Sequence, residues 1–139
     1  MIVDSPLAML EAGRAFAASL RGGELVTLSG GLGAGKTLFC KGVLEGLGYQ
    51  GDVPSPTFTI MNHYAPPDTR LAVIHADLYR LHSPDELEEL GILDSDDADT
   101  VSLVEWPEQG GKAFAHPRFR ISIDPLNETS RILTIEENI

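Results

Sequence analysis

Residues 30–37 read Gly-Gly-Leu-Gly-Ala-Gly-Lys-Thr, a match to G-x-x-x-x-G-K-[ST]. This stretch constrains the fold more than any other, because each residue type in it has a physical task. Glycines let successive backbone N–H groups turn inward around phosphate oxygens with no Cβ in the way. Lys36 reaches the β- and γ-phosphates as a mobile point charge. Thr37 offers a hydroxyl to Mg²⁺. A helix starting here aims its positive end at the same phosphates. The loop therefore demands a strand in front and a helix behind, and both are legible. Glu24-Leu25-Val26-Thr27-Leu28-Ser29 reads as a buried strand running into the loop. Beyond it, Phe39, Cys40, Val43, Leu44 and Leu47 share one helix face, and Gly48 is positioned to end that helix. Gly31, Leu32, Gly33, Ala34, Gly35, Lys36 and Thr37 are the candidate nucleotide contacts.

At 139 residues, 42% of them hydrophobic, the chain is read as one domain spanning 1–139 with a proper core. No transmembrane run, signal peptide, lipid-anchor pattern or low-complexity tract is visible, so a cytoplasmic protein off the membrane is expected. The single cysteine excludes an internal disulfide, which suits a reducing compartment. Cys40 is expected to be a buried packing residue. The net charge is −11, and the ten Lys and Arg residues form no cluster in sequence. Such a chain repels nucleic acid over most of its surface, and no direct tRNA binding by it alone is expected. An acidic surface also suits a basic protein partner, or simply solubility.

Ser5-Pro6 reads as a helix N-cap followed by proline at the first helical position, with Met9, Gly13, Phe16 and Leu20 on one face and an end near Gly22-Gly23. Thr57–Ile60 and Leu71–Ile74 are strand candidates, joined as an antiparallel hairpin through Ala65-Pro66-Pro67-Asp68. Ser83-Pro84-Asp85-Glu86 opens a short helix closed by Gly91. Thr100–Val104 is a further buried strand, and 120–124 with 131–135 forms a second hairpin turning at Asn127-Glu128. The expected fold is α/β, with a sheet parallel at its centre and antiparallel at its edges.

Turning phosphate binding into phosphate transfer needs carboxylates that hold Mg²⁺ and orient the nucleophile. In open α/β sheets these stand at the C-terminal ends of strands. Glu105 ends the run Val101–Val104, and Asp77 ends Val73–Ala76. Both are candidate catalytic and metal-binding residues with Lys36 and Thr37; the competing reading is a solvated strand-end carboxylate. His75 lies two residues before Asp77, on the same strand face. It is read as a packing residue or a support behind the site rather than as half of a zinc site. Ser55-Pro56-Thr57 follows the loop's helix, and Thr57 is either a sensor of the γ-phosphate, as switch threonines are, or a capped turn. No N-K-x-D pattern is present, which weighs against guanine recognition.

Together these motifs are similar to a known family. Gly33-Ala34-Gly35-Lys36-Thr37, Ser55-Pro56-Thr57-Phe58-Thr59, His75-Ala76-Asp77-Leu78-Tyr79-Arg80-Leu81, Glu86-Leu87 through Gly91-Ile92, and Leu103-Val104-Glu105-Trp106-Pro107 occur in the order and spacing of the bacterial TsaE (YjeE) proteins. The chain resembles that family over almost its whole length. The resemblance implies a P-loop NTPase fold and a partner-dependent, Mg²⁺-requiring ATPase. It would work with TsaB and TsaD, which attach threonylcarbamoyl to adenosine 37 of tRNA. It also implies that Trp106 lies near the nucleotide and that adenine contacts come from Ser5-Pro6 and Arg131. The chain departs from the family's G-D-L-G-A-G-K-T-T at two positions. Gly31 stands for an aspartate, and Leu38 stands for a second threonine. Leu38 keeps its backbone N–H but lacks the hydroxyl, a loss of about 0.5–1.5 kcal/mol in nucleotide binding. Arg80 is a candidate arginine finger in cis. The rival readings are a non-catalytic ATP-dependent switch and a small P-loop kinase; sparse arginine argues against the kinase.

Overall fold

The computed structural model describes residues 1–53, 61–81, 83, 85–86 and 99–138. Seven strands form one sheet: β1 (Ile2–Val3), β2 (Leu25–Ser29), β3 (Met61–Tyr64), β4 (Ala72–Asp77), β5 (Thr100–Glu105), β6 (Phe119–Pro125) and β7 (Arg131–Glu137). Their order is β1-β7-β6-β2-β5-β4-β3. The four central strands β6, β2, β5 and β4 run parallel, while β3, β7 and β1 join antiparallel. The expected parallel centre with antiparallel edges is what forms.

Helices α1 (Pro6–Phe16) and α2 (Lys36–Gly46) cover one face of the sheet. They bury Val26, Leu28, Val101, Leu103, Ile121 and Ile123 together with Phe16, Phe39 and Leu44. A smaller cluster of Ala76, Leu78, Leu81, Val104 and Phe114 closes the opposite face. The two helices approach so closely that a Cβ on Gly13 would stand 2.2 Å from the Phe39 carbonyl oxygen, and one on Gly42 2.2 Å from that of Leu10. Both positions therefore require glycine.

The helix ends follow local chemistry. Ser5 accepts the Ala8 N–H at 3.0 Å, and Pro6 opens α1. After α2, the Tyr49 N–H bonds to the Leu44 carbonyl and the Gly48 N–H to that of Glu45, with Gly48 at φ +106°. This is the glycine stop read from the sequence.

One expectation needs correction. The first helix does not continue to Gly22-Gly23: α1 ends at Phe16 and a 3₁₀ turn covers Ala17–Ser19. Leu20 is then extended and buried, and the tighter turn is what swings it into the core. Among the described residues β4 pairs antiparallel with Met61–Tyr64; the strand expected at 57–60 lies outside them. The turn itself is as expected, with the Asp68 N–H bonded to the Ala65 carbonyl at 3.0 Å. The helix read over 83–91 also lies largely outside the described residues. The final hairpin turns where expected, with Asn127 Oδ1 accepting from the Thr129 and Ser130 N–H groups.

Candidate functional site

The loop leaves β2 at Ser29 and enters α2 at Lys36, so the N-terminal end of α2 opens at the C-terminal edge of the parallel strands. Gly33 (φ +74°) and Gly35 (φ +110°) adopt left-handed backbone, and the would-be Cβ of Gly35 lies 3.1 Å from Met9 Cε. The left-handed backbone is what favours glycine at 35. Lys36 Nζ lies inside the loop. It donates to the carbonyls of Gly30 and Gly31, the latter at 2.9 Å, and stands 4.1 Å from the ring centroid of Trp106. Burial lowers the pKa of this ammonium, while the Glu105 and Asp77 carboxylates act to hold it up.

Asp77 and Glu105 are register partners at the ends of the neighbouring strands β4 and β5. Parallel partners project to the same face, here the one that α2 covers. Glu105 is buried and held from two sides. Thr37 Oγ1 lies 3.1 Å from both of its carboxylate oxygens, and His75 Nε2 lies 2.6 Å from Oε2. Asp77 Oδ1 accepts the Tyr79 N–H at 2.9 Å. Trp106 follows Glu105 in left-handed backbone (φ 58°), a conformation costing a non-glycine residue roughly 1–2 kcal/mol. The turn sets its ring over Lys36 and 5.0 Å from that of Tyr79.

Two clefts share the loop. One, of about 320 Å³, is lined by loop residues 32–38 with Asp77, Glu105 and Trp106. The other, of about 370 Å³, lies on the far side of Gly33, Ala34, Gly35 and Leu38, and is closed by Pro6, Met9 and Arg131. Carboxylates and the ammonium line the first; the second is mostly apolar. A larger cleft of about 730 Å³ lies at the opposite edge of the sheet, around His116, Arg118 and Arg120. Its arginines face Glu137 and Glu136, and it holds neither the loop nor the strand-end carboxylates.

The family model described as "Threonylcarbamoyl adenosine biosynthesis protein TsaE" matches residues 3–133, nearly the whole chain. This chain belongs to the TsaE family. Among curated members, the tRNA threonylcarbamoyladenosine biosynthesis protein TsaE of Streptomyces coelicolor is 44% identical over 84% of this chain and 78% of its own length. Those of Bacillus subtilis (41%, 85% of this chain and 72% of its own length) and Haemophilus influenzae (39%, 81% and 70%) are similar. The crystal structure of YdiB from Bacillus subtilis superposes with a TM-score of 0.78 at 31% identity, covering 99% of this chain and 83% of that one. The fold is that of P-loop NTPases.

Of the TsaE site residues expected from sequence, Lys36, Thr37, Asp77, Glu105 and Trp106 meet in one cleft with Leu32, Gly33, Ala34, Gly35 and Leu38. Gly31 contributes its carbonyl to Lys36 and has open space where a side chain would project. Pro6 and Arg131, 125 positions apart, meet in the second cleft. Thr57 lies outside the described residues. Arg80 is exposed and lines neither cleft. Sequence reasoning missed Met9 as a wall of the second cleft, because it read as part of the apolar face of the first helix, and gave Val3 no role. It also missed Tyr79, whose only local signal was its place two residues after Asp77. Cys40 is fully buried beside His75 and Glu105, and burial pushes its thiol pKa well up, which fits a packing role.

Proposed function

We propose that this TsaE-family chain is a Mg²⁺-dependent ATPase serving tRNA threonylcarbamoyladenosine formation, and that it acts on a TsaB–TsaD complex. The observation that carries the reading is the convergence of Lys36, Thr37, Asp77 and Glu105 on one cleft at the mouth of a Gly-rich loop. In this reading the triphosphate lies along the loop and the base enters the apolar cleft between Pro6, Met9, Leu38 and Arg131. A hydroxyl and two carboxylates are the hard oxygen donors that Mg²⁺ takes, so the donor set fits this ion. Thr37, Glu105 and Asp77 would hold it, and its chemistry there is neutralisation of charge on the phosphate oxygens.

The residues then divide the work. Lys36 exchanges the carbonyls of Gly30 and Gly31 for β- and γ-phosphate oxygens. Glu105 accepts a hydrogen bond from the attacking water. That water's oxygen bonds to the γ-phosphorus as the bond to the β–γ bridging oxygen breaks. ADP leaves, and the proton goes to the released phosphate. Among the described residues lining this cleft, Lys36 is the one cation. With no arginine there to meet the developing charge, hydrolysis by the chain alone is slow and a partner raises it. Among the described residues no helix is long and apolar enough to cross a membrane, which suits work in the cytoplasm beside tRNA.

The test is phosphate release from Mg-ATP by the chain alone and with TsaB–TsaD of the same host. Slow release that rises strongly with the pair is expected. Binding without release in either condition would instead make the chain an ATP-gated switch.

A further inference from the structure

His75 is wholly buried in the middle of β4, yet among the described residues its imidazole makes a single hydrogen bond, to Glu105 Oε2 at 2.6 Å. Its other nitrogen, Nδ1, is buried with no partner among the described residues. In the register of β4 on β5, His75 sits opposite Leu103, so Glu105 is its diagonal neighbour on the same face. The ring lines neither cleft at the loop and cannot touch a nucleotide there.

These contacts favour one tautomer. A neutral imidazole carries one N–H. On Nδ1 that proton would be a buried donor without an acceptor, and the Nε2 lone pair would face a carboxylate oxygen. On Nε2 the proton meets Oε2 and the bare Nδ1 costs less. The second donor to Glu105, the Thr37 hydroxyl, lies 3.1 Å from both oxygens, but one proton serves one oxygen at a time. Were that hydroxyl to turn to a bound metal ion, His75 would be the donor left on Glu105 among the described residues.

We infer that His75 is a positioning residue for Glu105: Nε2–H fixes the carboxylate by Oε2, leaving Oε1 directed at Thr37 and the cleft. The inference rests on the proposed role of Glu105 but is tested apart from it. Groups of this kind, behind a metal-binding carboxylate, change activity or metal affinity by about 10–100-fold when lost.

Two experiments decide the matter. The first needs no turnover: the full chain is labelled with ¹⁵N-histidine, and the His75 signal is identified by its loss in His75→Gln. Protonation at Nε2 is expected, with a downfield proton that moves upfield in Glu105→Gln. A proton on Nδ1, or one indifferent to Glu105→Gln, overturns the inference. The second compares Mg-ATPase kinetics of His75→Leu and His75→Gln. The leucine variant is expected to lose about 10–100-fold in kcat with KM for ATP within about threefold. The glutamine variant, whose amide N–H can reach Oε2, is expected to recover most of that loss. Equal loss in both, or none in either, overturns the inference. If the wild-type chain hydrolyses no ATP, the proposed ATPase fails while the spectrum still decides for His75. If His75→Leu does not fold, the spectrum and the glutamine variant carry the test.

Discussion

Lys36 is restrained by two loop carbonyls and an indole face, and it is buried beside two carboxylates. A phosphate would replace the carbonyl bonds with charge-assisted ones of about 1.5–3 kcal/mol each, so Lys36→Ala should weaken ATP binding by about 10- to 100-fold or more. Calorimetric titration checks this, and unchanged affinity would remove the site. Glu105→Ala should act on the other parameter. Its single-turnover rate should fall by about 100-fold or more while ATP affinity changes far less. Burial sets a pH dependence as well. The Lys36 pKa is lowered from 10.5, so between the lowered value and 10.5 the unfolded chain holds a proton that the folded chain does not. Folding stability contributed by this group therefore rises with pH across that window. ATP affinity moves the opposite way, since the neutral amine no longer attracts phosphate. Titrations carried upward toward pH 10.5 should show Kd rising for the wild type and a flatter profile for Lys36→Arg, whose guanidinium stays charged. A flat wild-type profile would contradict the lowered pKa.

At the scale of elements, α1 matters because it props up the end of α2 that would receive phosphate in the proposed function. Gly13 and Gly42 let the helices touch, and Met9 then stands against Gly35. A side chain at 13 has to displace the Phe39 carbonyl, so Gly13→Val should cost about 1–3 kcal/mol, the range for overpacking. Ser5→Ala removes a cap worth about 1 kcal/mol. Urea unfolding measures both, and a Gly13→Val midpoint equal to wild type would mean the helices can part freely. The caps were readable from sequence because a cap is a contact between neighbours in the chain: Ser5 with Ala8, Gly48 with Glu45. The end of α1 was not. Its apolar spacing runs on through Leu20, and only the need to bury that side chain against the sheet converts the last turn to 3₁₀.

Over the whole molecule, a charge of −11 opposes holding a phosphate backbone without help. The chain alone should show no saturable binding to tRNA at about 150 mM salt and micromolar protein, as read by filter retention. Tight, salt-sensitive retention would mean that a basic face forms in solution. Of the basic side chains gathered around the larger cleft, Arg118 pairs with Glu137 and Arg120 with Glu136, so the two arginines are balanced. Among the described residues, the helix end at Lys36 is where the proposed function puts a polyanion.

What sequence determined alone was whatever depends on near neighbours: the loop, the strand and helix either side of it, the caps, the hairpin turns, and the two carboxylates as strand ends. Those follow from backbone geometry and side-chain period over a few residues. Pairing across the chain was decided only by the tertiary structure. Nothing local specifies that β2 lies between β5 and β6, yet that order brings Glu105 to Thr37 across 68 positions and His75 to Glu105 across 30. Pro6 meets Arg131 for the same reason, because β7 pairs with β6 and returns the chain to the start of α1. The local chemistry of each residue was in the sequence; which residues face one another was set by burying both sides of a single sheet.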